Sequence, residues 1–171
     1  TLNAEVRKMQ ISVRYDALTV DIYESVRATA DFHRYEREDV QAALDGGLCS
    51  VVAYVDGVPA GIGRLVGDGR IAFFIKDLVV LPEYQGLGIG SRVLEALIDY
   101  VRSRCCDHAY VGLMSTPGKE AFYEGKGFVR RPTSDMGSGM VQFVDAKRPV
   151  VGGDEASGEM RSTFLETALV S

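Results

Sequence analysis

Between the apolar run Leu78-Val79-Val80-Leu81 and the helical pattern that begins Ser91-Arg92-Val93-Leu94 stands the turn Gln85-Gly86-Leu87-Gly88-Ile89-Gly90. No other stretch constrains the chain as much, because it dictates a strand, a glycine-rich turn and a helix in that order. The first turn of a helix has N–H groups with no intrahelical partner and lies at the positive end of the helix dipole. Such a junction forms a cradle for a phosphate group. Glycine serves there because a Cβ would hold the ligand's oxygens away from the backbone.

Spacing separates the owners of such turns. A P-loop requires Lys and then Ser or Thr after its last glycine, whereas Gly90 is followed by Ser91-Arg92. The dinucleotide fingerprint wants G-x-G-x-x-G with an acidic residue about 20 positions later. Gly86-x-Gly88-x-Gly90 lies mid-chain without that acid. On these residues alone, a tight turn that binds nothing competes with the cradle. A second segment, Ala121-Phe122-Tyr123-Glu124-Gly125-Lys126-Gly127-Phe128, reads as a short helix running into a strand. With Gln85-x-x-Gly88-x-Gly90 upstream, it resembles the GCN5-related N-acetyltransferase (GNAT) superfamily, in which an Arg/Gln-x-x-Gly-x-Gly/Ala turn binds acetyl-CoA and an Ala-x-x-Tyr-x-x-x-Gly-Phe-like segment comes later. Here the later motif is compressed, with Gly127-Phe128 at its end. The resemblance covers roughly residues 8–145.

At 171 residues the chain fits one domain, long enough to bury most of its unfolded surface. No apolar stretch reaches the roughly 20 residues that span a bilayer, and residues 1–30 lack a signal-peptide pattern. A pI near 5.1 argues against general nucleic-acid binding, which needs a basic face. Three cysteines, two of them the adjacent Cys105 and Cys106, make no disulfide framework. With His33 and His108 as the only histidines, no zinc spacing exists and no metal is expected. These features favour a reducing cytoplasm.

Residues 9–15 alternate as a first strand, and Val20, Tyr23, Val26 and Ala30 give helical spacing over 20–30. A second helix is predicted over 36–44, ended by Gly46-Gly47. Strands over 48–55 and 58–66 are joined by Asp56-Gly57, a strong hairpin signal, and a long strand is predicted over 70–81. The helix after the glycine turn runs to about residue 104 and buries Ile89, Val93, Leu94, Leu97, Ile98 and Val101. A strand is predicted over 109–114, and Thr116 and Pro117 are placed to start the next helix. Closing strands are expected over 128–131 and 140–144. The fold is therefore α+β, a mixed, largely antiparallel sheet flanked by helices, over residues 1–147. A linker-like stretch and a short helix over 160–170 would make a C-terminal tail, 148–171.

The resemblance implies acetyl-CoA as the cosubstrate, its pyrophosphate held by N–H groups of Gln85, Gly86, Leu87, Gly88, Ile89, Gly90 and Ser91. It places the pantetheine arm along Leu78, Val79 and Val80, where a bulge turns an N–H toward the thioester carbonyl. By the same resemblance Tyr123 is the acid for the departing thiolate, because a phenol has comparable basicity. A packed aromatic beside Phe122 is the competing reading. Thr116 stands where many relatives carry an asparagine that contacts pantetheine. Lys76-Asp77 interrupts an apolar strand, so Asp77 is the leading general base, with pairing to a nearby cation an equal alternative. His33 lies in a segment that borders the acceptor pocket in the family. His108 reads as structural and Glu83 as solvent-facing. The activity implied is acetyl transfer to a primary amine of a small molecule by direct attack in a ternary complex. A non-catalytic acyl-CoA-binding module and transfer of a longer acyl group stay open. The resemblance allows a homodimer, and no apolar stripe demands one.

Overall fold

The computed structural model describes residues 9–145, and the tail expected over 148–171 lies outside them. Contacts group the chain into two units that divide between Thr116 and Pro117, and each is described by itself.

The first unit is a five-stranded sheet in the order β1-β2-β3-β4-β5. Strands β1 (Ile11–Tyr15), β2 (Cys49–Val55), β3 (Val58–Gly67) and β4 (Ala72–Val80) pair antiparallel, while β5 (Tyr110–Leu113) joins β4 in parallel. Asp56-Gly57 forms the predicted hairpin between β2 and β3. At the next turn Asp68 Oδ1 accepts the N–H groups of Arg70, Ile71 and Ala72 at 2.7, 2.8 and 3.1 Å. Those bonds favour the ionised form and hold the Asp68 carboxyl below its usual range.

The two faces of β3 explain the layers. Ile62 packs with Leu18, Val20, Tyr23, Val26, Val40, Val52 and Val79, which brings α1 (Val20–Arg27) and α2 (Arg37–Asp45) onto one face. Gly63 points the other way. A Cβ there would lie 2.7 Å from Val93 Cγ1, so glycine lets α3 (Ile89–Arg102) sit close against the opposite face. Helix α3 buries Ile89, Val93, Leu94, Leu97 and Val101, the expected stripe except for the half-buried Ile98. Helix α1 stops three residues earlier than its periodicity suggests. Thr29 turns its hydroxyl back onto the Val26 carbonyl at 2.7 Å, an alternative to continuing the helix.

In the second unit the only described helix is α4 (Glu120–Glu124), whose N-cap is Lys119. Thr116 therefore does not cap it, contrary to expectation. The segments 128–131 and 140–144 are not strands either. Phe128 N–H bonds the Tyr123 carbonyl at 3.1 Å, and Arg130 forms a two-pronged ion pair with Glu124 at 3.1 and 2.9 Å. The chain after α4 thus folds back on that helix, and Pro132 then removes a ladder donor. Met140, Val141, Phe143 and Val144 are highly exposed.

Candidate active site

The site is built around the end of β4. Beyond Ile75 this strand has no partner on its β5 side among the described residues, because the β4–β5 register runs only from Ala72 with Tyr110 to Ile75 with Leu113. On the β3 side, Ile62 pairs with Val79 and Arg64 with Lys76, so the single residue Gly63 opposes both Asp77 and Leu78. This is a β-bulge, which leaves one residue outside the ladder. Asp77 adopts φ +53°, a left-handed conformation that glycine adopts readily and aspartate tolerates. The predicted bulge is present, and Leu78, Val79 and Val80 continue from it along the open edge.

A short 3-10 turn, Pro82–Tyr84, carries the chain from β4 to the glycines. Gln85 ties this corner together: its N–H bonds the Pro82 carbonyl at 3.2 Å and its Nε2 donates to the Val80 carbonyl at 3.1 Å. The Gln85 N–H is thus engaged within the protein, unlike the expectation for a phosphate donor. Gly86 and Gly88 have φ of +78° and +77°, and a Cβ on either would project into open space. Gly88 is the N-cap of α3 and offers no side chain to the helix's first N–H groups. Helices α1, α2 and α4 carry acids in their first turns (Asp21; Glu38 and Asp39; Glu120), whereas α3 has none. An anion at α3 would thus meet unneutralised dipole and unpaired N–H groups from Ile89, Gly90 and Ser91.

A recess of ≈ 550 Å³ opens beside α1, lined by Tyr23, Arg27, Phe32, His33, Arg34 and Tyr35 among others. Arg27, in this lining, also reaches Asp77, which lies between two guanidinium groups. Arg64 Nε donates to Asp77 Oδ2 at 2.9 Å, and Arg27 Nε lies 3.1 Å from Oδ1 but off the line of a hydrogen bond. All three side chains are almost fully buried. Tyr23 packs against both arginines, and its phenol is pushed up, mainly by burial and then by the Asp77 charge. With both Asp77 oxygens committed to cations, its geometry favours the pairing role over the base role. His33 stacks edge-on against Tyr35 at 5.0 Å, and its carbonyl accepts from Arg27 Nη1 at 3.2 Å.

Sequence reasoning missed Arg27 and Arg64. A signal existed, since Arg64 interrupts the apolar Ala60-Gly61-Ile62 to Leu65-Val66 run much as Lys76-Asp77 interrupts β4. Thr116, exposed, accepts a hydrogen bond from Ser115 Oγ on its carbonyl at 2.9 Å. In the second unit Tyr123 is half-buried between Phe122 and Phe128, with ring centroids at 4.9 and 5.9 Å. Burial raises its phenol pKa above the ordinary 10.0 and keeps the proton on. Cys49 is buried, and desolvation pushes its thiol up to about 11, while Cys105 and Cys106 are partly covered. Among the described residues no His, Cys, Asp and Glu cluster could hold a metal.

An open strand edge, a bulge and an acid-free helix start reached through glycines are features that would suit an elongated ligand carrying phosphate. The chain belongs to the acetyltransferase (GNAT) family, whose sequence profile matches residues 15–128. It is 31% identical over 125 residues to GCN5-related N-acetyltransferase 1, chloroplastic, from Arabidopsis thaliana, covering 71% of this chain and 62% of that protein. Serotonin N-acetyltransferase 2, chloroplastic, from Oryza sativa subsp. japonica is 28% identical over 144 residues, covering 79% of this chain and 70% of the other. A Staphylococcus aureus protein of unknown function, known from its crystal structure, superposes with a TM-score of 0.70 at 30% identity. That match covers 79% of this chain and 100% of the other.

Proposed function

We propose that this chain is an N-acetyltransferase that moves an acetyl group from acetyl-CoA to a primary amine of a small molecule, by direct attack within a ternary complex. The observation that carries this is the acid-free start of α3 behind Gly86 and Gly88, at the end of a bulged strand with an open edge. Acetyl-CoA, when bound, supplies the activated thioester. The N–H groups from Gly86 to Ser91 would hold its diphosphate, with Gln85 bracing the turn. The edge of Leu78, Val79 and Val80 would receive the pantetheine arm as an added strand, and the bulge would supply an N–H to the thioester oxygen.

Tyr123, kept protonated by burial, is the proposed donor to sulfur as the C–S bond breaks. Thr116 is a proposed pantetheine contact. Asp77 is proposed as a positioning residue that holds the bulge, with the ammonium proton leaving to solvent at the open recess. A covalent acyl-cysteine route is disfavoured at Cys49, whose thiol stays un-ionised at neutral pH. The recess has the volume and aromatic lining of a small-molecule site. A reducing compartment fits the free Cys49, Cys105 and Cys106, and no described helix is long and apolar enough to cross a membrane. We place the chain in the cytoplasm and allow it a homodimer, both open to direct measurement.

Tyr123→Phe tests the reaction. It should lower kcat by about 10²–10⁴-fold while CoA affinity, read by calorimetry, stays within about twofold. Unchanged turnover would remove Tyr123 from the mechanism. Wild-type protein that binds CoA but acetylates no amine would instead mark a non-catalytic binding module. A preference for longer acyl donors would change the group transferred.

A further inference from the structure

Arg27, in the lining of the recess, belongs to a buried cluster of two cations against one anion. The side chains of Arg27 and Arg64 are each 11% exposed and that of Asp77 is 7% exposed. One positive charge is therefore in excess where water cannot screen it well. Neutral groups soften the excess without cancelling it. The Arg27 guanidinium carbon lies 4.8, 5.1 and 5.6 Å from the ring centroids of Tyr23, Phe32 and Tyr35. The Arg27 and Arg64 Nη1 groups donate to the carbonyls of His33 and Ala43 at 3.2 and 3.1 Å. The buried Nε of Arg27 has no acceptor in line, although guanidinium hydrogen bonds to anions are among the stronger ones.

Arg64 turns to Asp77 and to the Ala43 carbonyl, whereas Arg27 lines the recess itself. The acids along the same lining do little to offset it. Glu24 is paired with Arg37, and Asp31 is exposed, as is Arg34.

We propose that this recess selects an amine that also bears a carboxylate, on an aromatic or apolar body, with the carboxylate directed to Arg27. The proposal rests on the reading of the chain as an N-acetyltransferase and names its acceptor class. A ligand with both groups is oriented by the charge: its carboxylate goes toward the guanidinium, and its ammonium is repelled from it. Amines that carry only positive charge are disfavoured beside the same guanidinium.

The test uses two matched probes on the full chain loaded with CoA, 3-phenylpropionate and 2-phenylethylamine. By calorimetry, 3-phenylpropionate should bind about tenfold tighter or better. Arg27→Gln should bring the two within about threefold, and Arg27→Lys should keep part of the preference by keeping the charge. The lysine variant also serves if the glutamine variant fails to fold. In turnover, kcat/KM for phenylalanine should exceed that for 2-phenylethylamine by a similar factor. Equal or tighter binding of 2-phenylethylamine, or a preference unmoved by either substitution, overturns the proposal. If the binding preference holds but no amine is acetylated, the acceptor recess stands as a carboxylate site and the acetyl-transfer reading fails.

Discussion

The glycine cradle at the start of α3 and the recess beside α1 are made of opposite materials. Between Gln85 and Ser91 no side chain titrates, and the chemistry lies in main-chain N–H groups and a helix dipole. At the recess, side chains dominate: Arg27 and Tyr23, which line it, form with Arg64 and Asp77 a buried charged cluster. The bulge at Asp77 joins the two, because one residue shapes the strand leading to the cradle and supplies the only carboxylate among those four side chains. A site made of backbone tolerates side-chain truncation but not an added Cβ. A site made of paired charges behaves the other way round.

The largest effect should come from breaking the charged cluster. Asn tolerates the left-handed conformation at position 77, so Asp77→Asn keeps the bulge and removes the anion between two buried guanidinium groups. Stability to urea should fall by about 3–5 kcal/mol, the cost of leaving buried charge uncompensated. A variant of unchanged stability whose kcat has collapsed would restore Asp77 as general base and dismiss its positioning role.

Gly88→Val probes the other material. A β-branched residue at φ +77° costs about 1–2 kcal/mol or more, and its side chain enters the space where a phosphate would lie. CoA affinity should drop at least about tenfold, while 3-phenylpropionate binding in the recess changes little. Equal losses of both ligands would mean that the two regions do not act separately.

This division also explains what could be read in advance. The cradle was legible because its chemistry is local in sequence: a strand, two glycines and a helix within about a dozen residues. The β2–β3 hairpin was legible for the same reason, through Asp56-Gly57. The charged cluster was not, because Arg27, Arg64 and Asp77 come from three elements and meet only after the sheet forms. The strands expected over 128–131 and 140–144 failed differently. A short run with apolar residues records at most a capacity to pair, and the ladder partner has to be supplied by the rest of the fold.

Alkaline pH should unsettle the charged and buried groups and spare the cradle. The Cys49 thiol is raised from 9.0 to about 11, first by burial and then by the Asp16 charge. Burial likewise raises the phenols of Tyr15, Tyr23 and Tyr123 above 10.0. Each ionises more readily in the unfolded chain, so the stability they contribute is full below about pH 9 and is lost as pH rises through the folded values. Cys49 alone should account for about 1–2 kcal/mol between pH 9 and 11 after partial solvation is allowed for. Urea midpoints measured across that range should fall less steeply in Cys49→Ala than in wild type. Identical slopes would show that the thiol already ionises in the folded protein.

The smallest effect tests the cradle's indifference to side chains. Gln85 Nε2 donates to the Val80 carbonyl at 3.1 Å from an exposed position, where a hydrogen bond contributes about 0.5–1 kcal/mol at most. Gln85→Ala should cost no more than that in stability and weaken CoA by less than about threefold, since the N–H groups facing the ligand belong to the backbone. A loss approaching that of Gly88→Val would mean that the amide side chain itself reaches the phosphate when the ligand binds. The cradle would then be partly made of side chain, and its contrast with the recess would be one of degree.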